Sequence, residues 1–119
     1  MNKHQMKTLQ DMTDRELLEL AAKAAGIQFY ALSRGGARYA PQPGIMQPYV
    51  RWNPLADDGD ALRLVVKCNL HVCVGYGSVS ACLQDDGSFH RIEEIKDDPY
   101  AATRRAIVRA AAEIGRAME

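Results

Sequence analysis

The chain has 119 residues and a mass of 13.2 kDa, a length that suits one domain and is short for two. Apolar residues make up 47% and charged residues 25%, a composition typical of a folded chain with a core rather than of a disordered one. Fifteen basic residues balance fifteen acidic ones, which argues against attraction to nucleic acid or to anionic membranes through overall charge.

Hydropathy and cysteine usage predict a protein of the cytoplasm. No apolar run approaches the roughly 20 residues of a membrane span, and the first residues are polar, unlike a signal peptide. Cys68, Cys73 and Cys82 are an odd number without a CxxC spacing, which favours thiols in a reducing compartment over a disulfide framework.

The first helix is predicted after a loose lead-in, residues 1–12. Thr13 and Glu16 have the spacing of a capping box, and Gly26 supplies a left-handed stop. An apolar face recurs every three or four residues between them, at Leu17, Leu20, Ala21 and Ala24.

A possible short strand, residues 27–32, is followed by a Gly/Pro-rich stretch. Residues 33–48 contain three glycines and three prolines, which predicts a long loop, and loops of this length in compact domains are often functional. A brief extended piece is expected at residues 49–52.

The second helix is predicted from the acidic cluster at residues 57–60, which supplies capping oxygens and negative charge at a helix start. The cluster lacks the remaining ligands of a calcium-binding loop. The expected inward face consists of Leu62, Val65, Val66 and Asn69.

From residue 70 the apolar period changes to two, which predicts strands at 70–74 and 79–83 joined by a turn at 76–77 or 77–78. A second turn at residues 85–87 leads to a strand at 89–92, so a three-stranded antiparallel meander is expected.

The last helix is predicted after Asp98 and Pro99, because a capping carboxylate followed by proline marks a helix start. Its predicted core face is Ile107, Ala110, Ala111, Ile114 and Met118. Arginines follow elsewhere on the helix, at 104, 105, 109 and 116, and we interpret them as a solvated face, with phosphate or acidic-partner binding as the alternative.

These elements together predict one α+β domain, residues 1–119. Three helices pack on one face of a three- to four-stranded antiparallel sheet, in the order α-β-α-β-β-β-α.

The best candidate for a metal site or a cysteine nucleophile lies on the hairpin. His71 and Cys73 share a strand face, and Cys82 lies opposite one of them, depending on the register. With His90 these residues form a weak candidate zinc site, but ordinary surface side chains are the preferred interpretation. A disulfide between Cys73 and Cys82 requires one particular register.

No motif of a catalytic triad, a Cys/His nucleophile or a phosphate loop accompanies these residues. We therefore predict a protein that is not an enzyme and needs no cofactor.

Aromatic and arginine residues gather around the loop, a combination typical of recognition surfaces. The candidate binding residues are Arg34, Arg38, Tyr39, Tyr49, Arg51 and Trp52. Trp52 also fits the alternative of a core anchor, since its ring buries a large area.

Four segments of the chain share a pattern with a known family: residues 12–17 (MTDREL), 52–55 (WNPL), 57–64 (DDGDALRL) and 98–107 (DPYAATRRAI). Taken together, they resemble the NinX-like family of small phage and prophage proteins. The resemblance implies a phage or prophage origin and action in the bacterial cytoplasm, with an unassigned activity and no catalytic residues.

The leading functional hypothesis is a non-enzymatic phage accessory protein that binds a host or phage macromolecule, a protein rather than a nucleic acid or a membrane, through the loop. The alternative is a small-ligand or nucleotide-sequestering domain with a pocket formed by the arginine and aromatic candidates. Open strand edges also make a homo-oligomer an option.

Overall fold

A computed structural model describes Thr8 and residues 11–31, 37–39, 50–83 and 91–118 of the chain. Within these residues the elements are helix α1 (Asp14–Ala25), strands β1 (Phe29–Ala31), β2 (Ala37–Tyr39) and β3 (Val50–Arg51), helix α2 (Asp58–Cys68), strands β4 (Leu70–Val74), β5 (Ser78–Leu83) and β6 (Arg91–Glu94), and helix α3 (Pro99–Ala117). The α+β class with an antiparallel sheet is confirmed.

The first three strands form a sheet of their own, which the sequence did not reveal. β2 pairs antiparallel with both β1 and β3, giving the order β1-β2-β3. Segment 33–48 therefore contains a strand and is not a loop along its whole length. The element order within the described residues becomes α-β-β-β-α-β-β-β-α, because three-residue strands are too short to show a period of two.

The second sheet is the predicted meander. β4 and β5 pair with Val74 opposite Val79, so Tyr76 and Gly77 form the two-residue turn. β6 pairs with β5 on its other side. The predicted turn at residues 85–87 lies outside the described residues.

The helix ends follow the predicted capping chemistry. The Thr13 hydroxyl accepts a hydrogen bond from the Glu16 N–H at 3.2 Å, and the Glu16 carboxylate accepts one from the Thr13 N–H at 2.9 Å. Gly26 ends α1 with a φ of 71°, a conformation that glycine adopts without strain. Asp98 accepts from the Tyr100 N–H at 2.9 Å at the start of α3.

Helix α3 is the central element of the fold. It contacts α1, α2 and all three strands of the second sheet, so it is buried on more than one side. Its buried residues are Ala106, Ile107, Val108, Ala110, Ala111, Ala112 and Gly115, whereas Met118, predicted to be in the core, is exposed. Small side chains allow this helix to have close neighbours on several faces.

The closest approach between helices is at Gly115 of α3. A Cβ built on this glycine would lie 2.8 Å from the carbonyl carbon of Leu20 in α1 and closer still to its oxygen. The backbones of the first and last helices therefore touch with no room for a methyl group.

Three of the four arginines of α3, those at 104, 105 and 109, attach this helix to its neighbours instead of forming a solvated face. Arg104 donates to the carbonyl oxygen of Leu55 at 2.8 Å and pairs with Asp58 at 2.6 Å. Arg105 pairs with Asp14 of α1 at 3.1 Å, and Arg109 pairs with Glu93 of β6, with both side chains largely buried. The prediction of a solvated arginine face is wrong, because long side chains can bury their stems and reach polar groups on other elements.

Candidate functional site: the α2 surface

Helix α2 is fixed at both ends by its own sequence. Asp57 accepts a hydrogen bond from the Asp60 N–H at 2.8 Å, which caps the helix start. Asn69 ends it in the left-handed conformation, with a φ of 57°, and β4 begins at the next residue. The single residue Asn69 therefore connects α2 to the edge strand β4 in a tight turn.

Asp60 anchors the first turn of α2 to the preceding chain. Its carboxylate is buried and accepts from the Asn53 N–H at 2.9 Å and from the Arg63 guanidinium at 2.6 Å. A buried carboxylate with both oxygens occupied holds a helix in one position. These hydrogen bonds therefore fix the position of α2 and of its outer surface.

The inward face of α2 differs from the prediction. Ala61, Leu64 and Cys68 are buried, whereas Leu62 and Val66 expose 63% and 72% of their surface. The prediction placed these two residues in the core, and that placement is wrong. Six of the eight residues from 61 to 68 are apolar, more than one helix face can bury, so the choice of face depends on tertiary packing.

Leu62 and Val66 form an exposed apolar stripe, because residues four apart on a helix are neighbours on its surface. The stripe separates two apolar hollows, and Leu62 lines both. We call the stripe and the two hollows together the α2 surface. Contiguous exposed apolar area of this kind marks interaction sites in folded proteins.

The first hollow lies between α2, β4 and the start of α3. Its volume is about 550 Å³, and its walls include Val65, Val72, Val74, Tyr100 and Ile107. Val74 and Tyr100 are themselves exposed. Asp58 and Arg104, which form an ion pair at 2.6 Å, also line this hollow, and its remaining walls are mainly apolar.

The second hollow lies on the other side of the stripe and has a volume of about 480 Å³. Ile27, Trp52, Leu64 and Val66 supply apolar walls, and the basic residues Arg63 and Lys67 also line it. Trp52 exposes 2% of its surface, which confirms the core-anchor interpretation.

The other predicted binding residues are only partly placed. Arg34 and Tyr49 lie outside the described residues. β2 carries Arg38 and Tyr39, and the backbone register sets Arg38 opposite Arg51, which is exposed on β3. The first sheet thus brings the backbones of Arg38 and Arg51 together, and Trp52 follows directly along the chain.

The hairpin has the register with the turn at residues 76–77, one of the two that the sequence allows. His71 is opposite Cys82, and Cys73 is opposite Ser80, so the register does not suit a disulfide between Cys73 and Cys82. All three cysteines are free thiols, and the Cys73 sulfur lies 3.6 Å from Nε2 of His71. Among the described residues no cluster of three or more ligating side chains could hold a metal ion, and His90 lies outside them.

Burial changes the acidity of one thiol. Cys68, the last residue of α2, is buried, and loss of hydration raises the pKa of its thiol, an effect that neighbouring Lys67 partly opposes. A thiol of this kind stays protonated and is a poor nucleophile. It is suited to packing in the core rather than to chemistry.

The sequence reasoning missed Leu62, Val66, Val74 and Tyr100 as site residues. The signal for Leu62, Val66 and Val74 was the surplus of apolar residues in α2, together with a β4 edge that carries valines and no lysine or proline. The α2 surface can bury apolar side chains of a partner, since both hollows are open and largely apolar.

None of the helices in the described ranges combines the length and hydropathy that a membrane span requires. No protein-family model matches this chain, and no curated protein or solved structure matches it either. The resemblance to NinX-like proteins therefore stays a prediction from the sequence.

Proposed function

We propose that this protein is a non-enzymatic phage or prophage accessory protein that binds a partner protein on the α2 surface in the bacterial cytoplasm. The single observation that carries the binding function is the exposed stripe of Leu62 and Val66 between two apolar hollows. The phage origin and the cytoplasmic location rest on the sequence: its resemblance to NinX-like proteins, its apolar runs and its thiols.

Physical chemistry favours a protein partner for this surface. A protein interface needs an apolar centre that loses water on contact, surrounded by polar groups that stay hydrated. Leu62 and Val66 supply the centre, and Asp58, Arg63 and Lys67 lie around it as the polar rim. The zero net charge of the chain gives no field that would select a nucleic acid instead.

A photo-crosslinking experiment tests this function. Leu62 is replaced by the photoreactive residue p-benzoylphenylalanine, and the protein is irradiated inside lysogenic or infected bacterial cells. We expect a defined adduct with another protein, identified by mass spectrometry. Ile92 is the matched control position, because it is also an exposed apolar residue but lies on β6, away from α2.

The identified partner is then tested with purified proteins by calorimetry. The Leu62→Ser variant should bind it at least about tenfold more weakly, since the centre of an interface carries most of its affinity. The Ile92→Ser variant should bind normally. Absence of an adduct at position 62, or equal adducts at 62 and 92, contradicts the proposed function.

A small-ligand site in the second hollow is the other candidate function. Its volume of about 480 Å³ lies within the range of roughly 300–1,000 Å³ for ligand sites, and Arg63 and Lys67 could meet an anionic group. Trp52 is the only tryptophan of the chain, so its fluorescence reports on this hollow. Native mass spectrometry of protein purified from bacteria should show a retained ligand, and loss of the ligand should change the Trp52 emission.

A further inference from the structure

The second sheet has two free edges within the described residues, because β4 and β6 each pair only with β5. The two edges differ in chemistry. Three of the four residues of β6 are charged (RIEE), and charges discourage a further strand from pairing there. β4 has the sequence LHVCV, with no acidic residue, lysine, arginine or proline. The β4 edge is therefore the one that is open to another strand.

The backbone hydrogen bonds fix which groups of β4 face this edge. The Gly75 N–H donates to a β5 carbonyl oxygen at 2.8 Å, and in an antiparallel pair such bonded positions alternate with positions that are not bonded. His71 and Cys73 therefore bond to β5. Val72 and Val74 lie between the bonded positions, so their N–H and C=O groups point away from β5, toward the free edge.

The other side of β5 gives the same alternation. The Ile95 N–H donates to the Gly77 carbonyl oxygen at 3.0 Å, so the bonded positions between β5 and β6 include Val79 and Ala81. These two residues lie opposite the valines of β4 and direct their backbone groups to β6 instead. The same count directs the N–H of Ile92 toward the free edge of β6.

We propose that β4 binds an extended segment of a partner protein as an additional strand, through the outward N–H and C=O groups of Val72 and Val74. This inference rests on the proposed function, because the added strand lies beside the first hollow of the α2 surface. Main-chain hydrogen bonds provide affinity in strand addition, and pockets for alternate side chains provide specificity.

The first hollow selects the side chains of the added segment. Val72 and Val74 line it, and residues directly opposite them on an added strand carry their side chains on the same face. Two positions of the segment, separated by one residue, therefore point into a space of about 550 Å³ with mainly apolar walls. The residue between them lies on the face of Cys73, which is exposed. This arrangement fits a segment with bulky apolar residues at two alternate positions.

A second copy of this chain is a poorer occupant of the same edge. The side chains that its own β4 would direct to the hollow are Leu70 and the two valines. Leu70 and Val72 already pack in the core of their own copy, so they add little to the hollow of another. Bulky side chains from a different protein can fill the space and gain contacts with its walls.

Selection from a displayed peptide library tests the proposal. Random peptides of about seven residues on yeast cells are sorted for binding of the fluorescently labelled full chain, and enriched peptides are synthesised. We expect bulky apolar residues at two positions separated by one residue. A library without enriched peptides, or enriched peptides that lack this spacing, overturns the proposal.

Proline substitutions identify the edge at which the peptides bind. Proline is tolerated on an edge strand where its nitrogen faces outward, so Val74→Pro removes one outward N–H and leaves the pairing of β4 with β5 intact. It should weaken peptide binding about tenfold or more, whereas Val74→Thr, which keeps the N–H, should stay within about threefold. Ile92→Pro removes the outward N–H of the opposite edge and should leave binding unchanged. Equal binding by Val74→Pro and Val74→Thr refutes strand addition.

Amide hydrogen exchange measured by NMR tests the backbone pairing without any variant. In the free chain the Val72 and Val74 amides should exchange faster than those of His71 and Cys73, which bond to β5. A saturating enriched peptide should slow exchange at both valines by about tenfold or more. Slow exchange at the valines before the peptide is added, or unchanged exchange afterwards, contradicts the proposed pairing.

The two proposals fail separately. If the photo-adduct at position 62 persists in the Val74→Pro variant, the partner binds without adding a strand, which contradicts this inference and leaves the proposed function intact. If enriched peptides need the Val74 N–H but no partner protein is crosslinked at position 62, the strand-binding edge stands and the proposed function is contradicted. A dimer in analytical ultracentrifugation that Val74→Pro abolishes assigns the edge to a second copy and overturns the partner segment.

Discussion

Gly115→Ala is the substitution that tests most directly how the first and last helices meet. The added Cβ would lie 2.8 Å from the carbonyl carbon of Leu20, whereas carbon atoms in contact are normally about 3.5 Å apart or more. The obstacle is backbone, which cannot rotate away as a side chain can. α1 and α3 must therefore separate by at least about 0.7 Å along this direction.

The cost of this separation can be set against the gain in helix propensity. Over-packing of a core costs about 1–3 kcal/mol, and here we expect the upper part of that range, because several alanines between the helices lose contact as well. Alanine in a helix interior gains about 1 kcal/mol over glycine. The net loss in the free energy of unfolding should be about 2 kcal/mol, equivalent to a Tm lower by roughly 6–12 °C.

Urea unfolding followed by far-UV circular dichroism measures this change, and Gly59→Ala is the matched control. A Cβ at Gly59 would meet side chains and no backbone, the carboxylate of Asp57 at 3.2 Å and the guanidinium of Arg63 at 3.3 Å. The gain in helix propensity and a small shift of the capping Asp57 carboxylate oppose each other, so Gly59→Ala should change the free energy of unfolding by less than about 1 kcal/mol. If Gly115→Ala is as stable as the unmodified protein, or if both variants lose equal stability, the close helix contact is refuted.

Three further predictions concern buried polar groups and one thiol. Arg109→Ala should lower the free energy of unfolding by about 3 kcal/mol, because Glu93 is left buried without its partner, and a double-mutant cycle with Glu93→Ala should show coupling rather than additive losses. Asp60→Ala should cost about 2–3 kcal/mol by urea unfolding, since it removes hydrogen bonds to a backbone N–H and a guanidinium; near-zero loss contradicts the anchoring role. Burial raises the pKa of the Cys68 thiol above its ordinary value of 9.0. The protonated thiol therefore contributes stability to the folded state below pH 9.0. This contribution is lost as the pH rises through the pKa of the folded state. Urea midpoints from pH 8 to 10.5 should therefore fall more steeply for the unmodified protein than for Cys68→Ala, and a thiol reagent should label exposed Cys73 before Cys68; equal slopes or equal labelling rates argue against the burial.

The helix starts could be predicted from the sequence because capping is a local interaction. The Thr13 and Glu16 pair, Asp57 and Asp98 each hydrogen-bond to a backbone N–H within three residues, so the information is contained in a few neighbouring letters. The meander was predictable for a related reason, since a period of two along β4 and β5 is visible in five or six residues.

The environment of α3 could not be predicted from its own sequence. Alanines and one glycine appear on several faces, and only the packing of α1 and the sheet shows that more than one face is buried. Arg105 reaches Asp14, 91 residues away, and no local pattern identifies such a partner. The same limit explains the short strands β1, β2 and β3, whose pairing depends on distant backbone rather than on periodicity.

The candidate site was predicted only in part. Recognition by aromatic and arginine residues around residue 50 was a hypothesis from composition, and the structure places Trp52 in the core beside the second hollow. The apolar stripe of Leu62 and Val66 was interpreted as core because hydrophobicity alone does not distinguish a residue that packs inward from one that meets a partner.

The contact between α1 and α3 has a consequence for the chain during its synthesis. The apolar face of α1 is covered mainly by a helix that begins 74 residues after α1 ends, as the interval from residue 25 to residue 99 shows. At about 5–20 residues per second, the ribosome needs about 4–15 s to make that interval. During this time α3 cannot yet cover Leu17, Ala21 and Ala25. The nascent chain therefore exposes an apolar helix face of the kind that chaperones bind, until synthesis of α3 is complete.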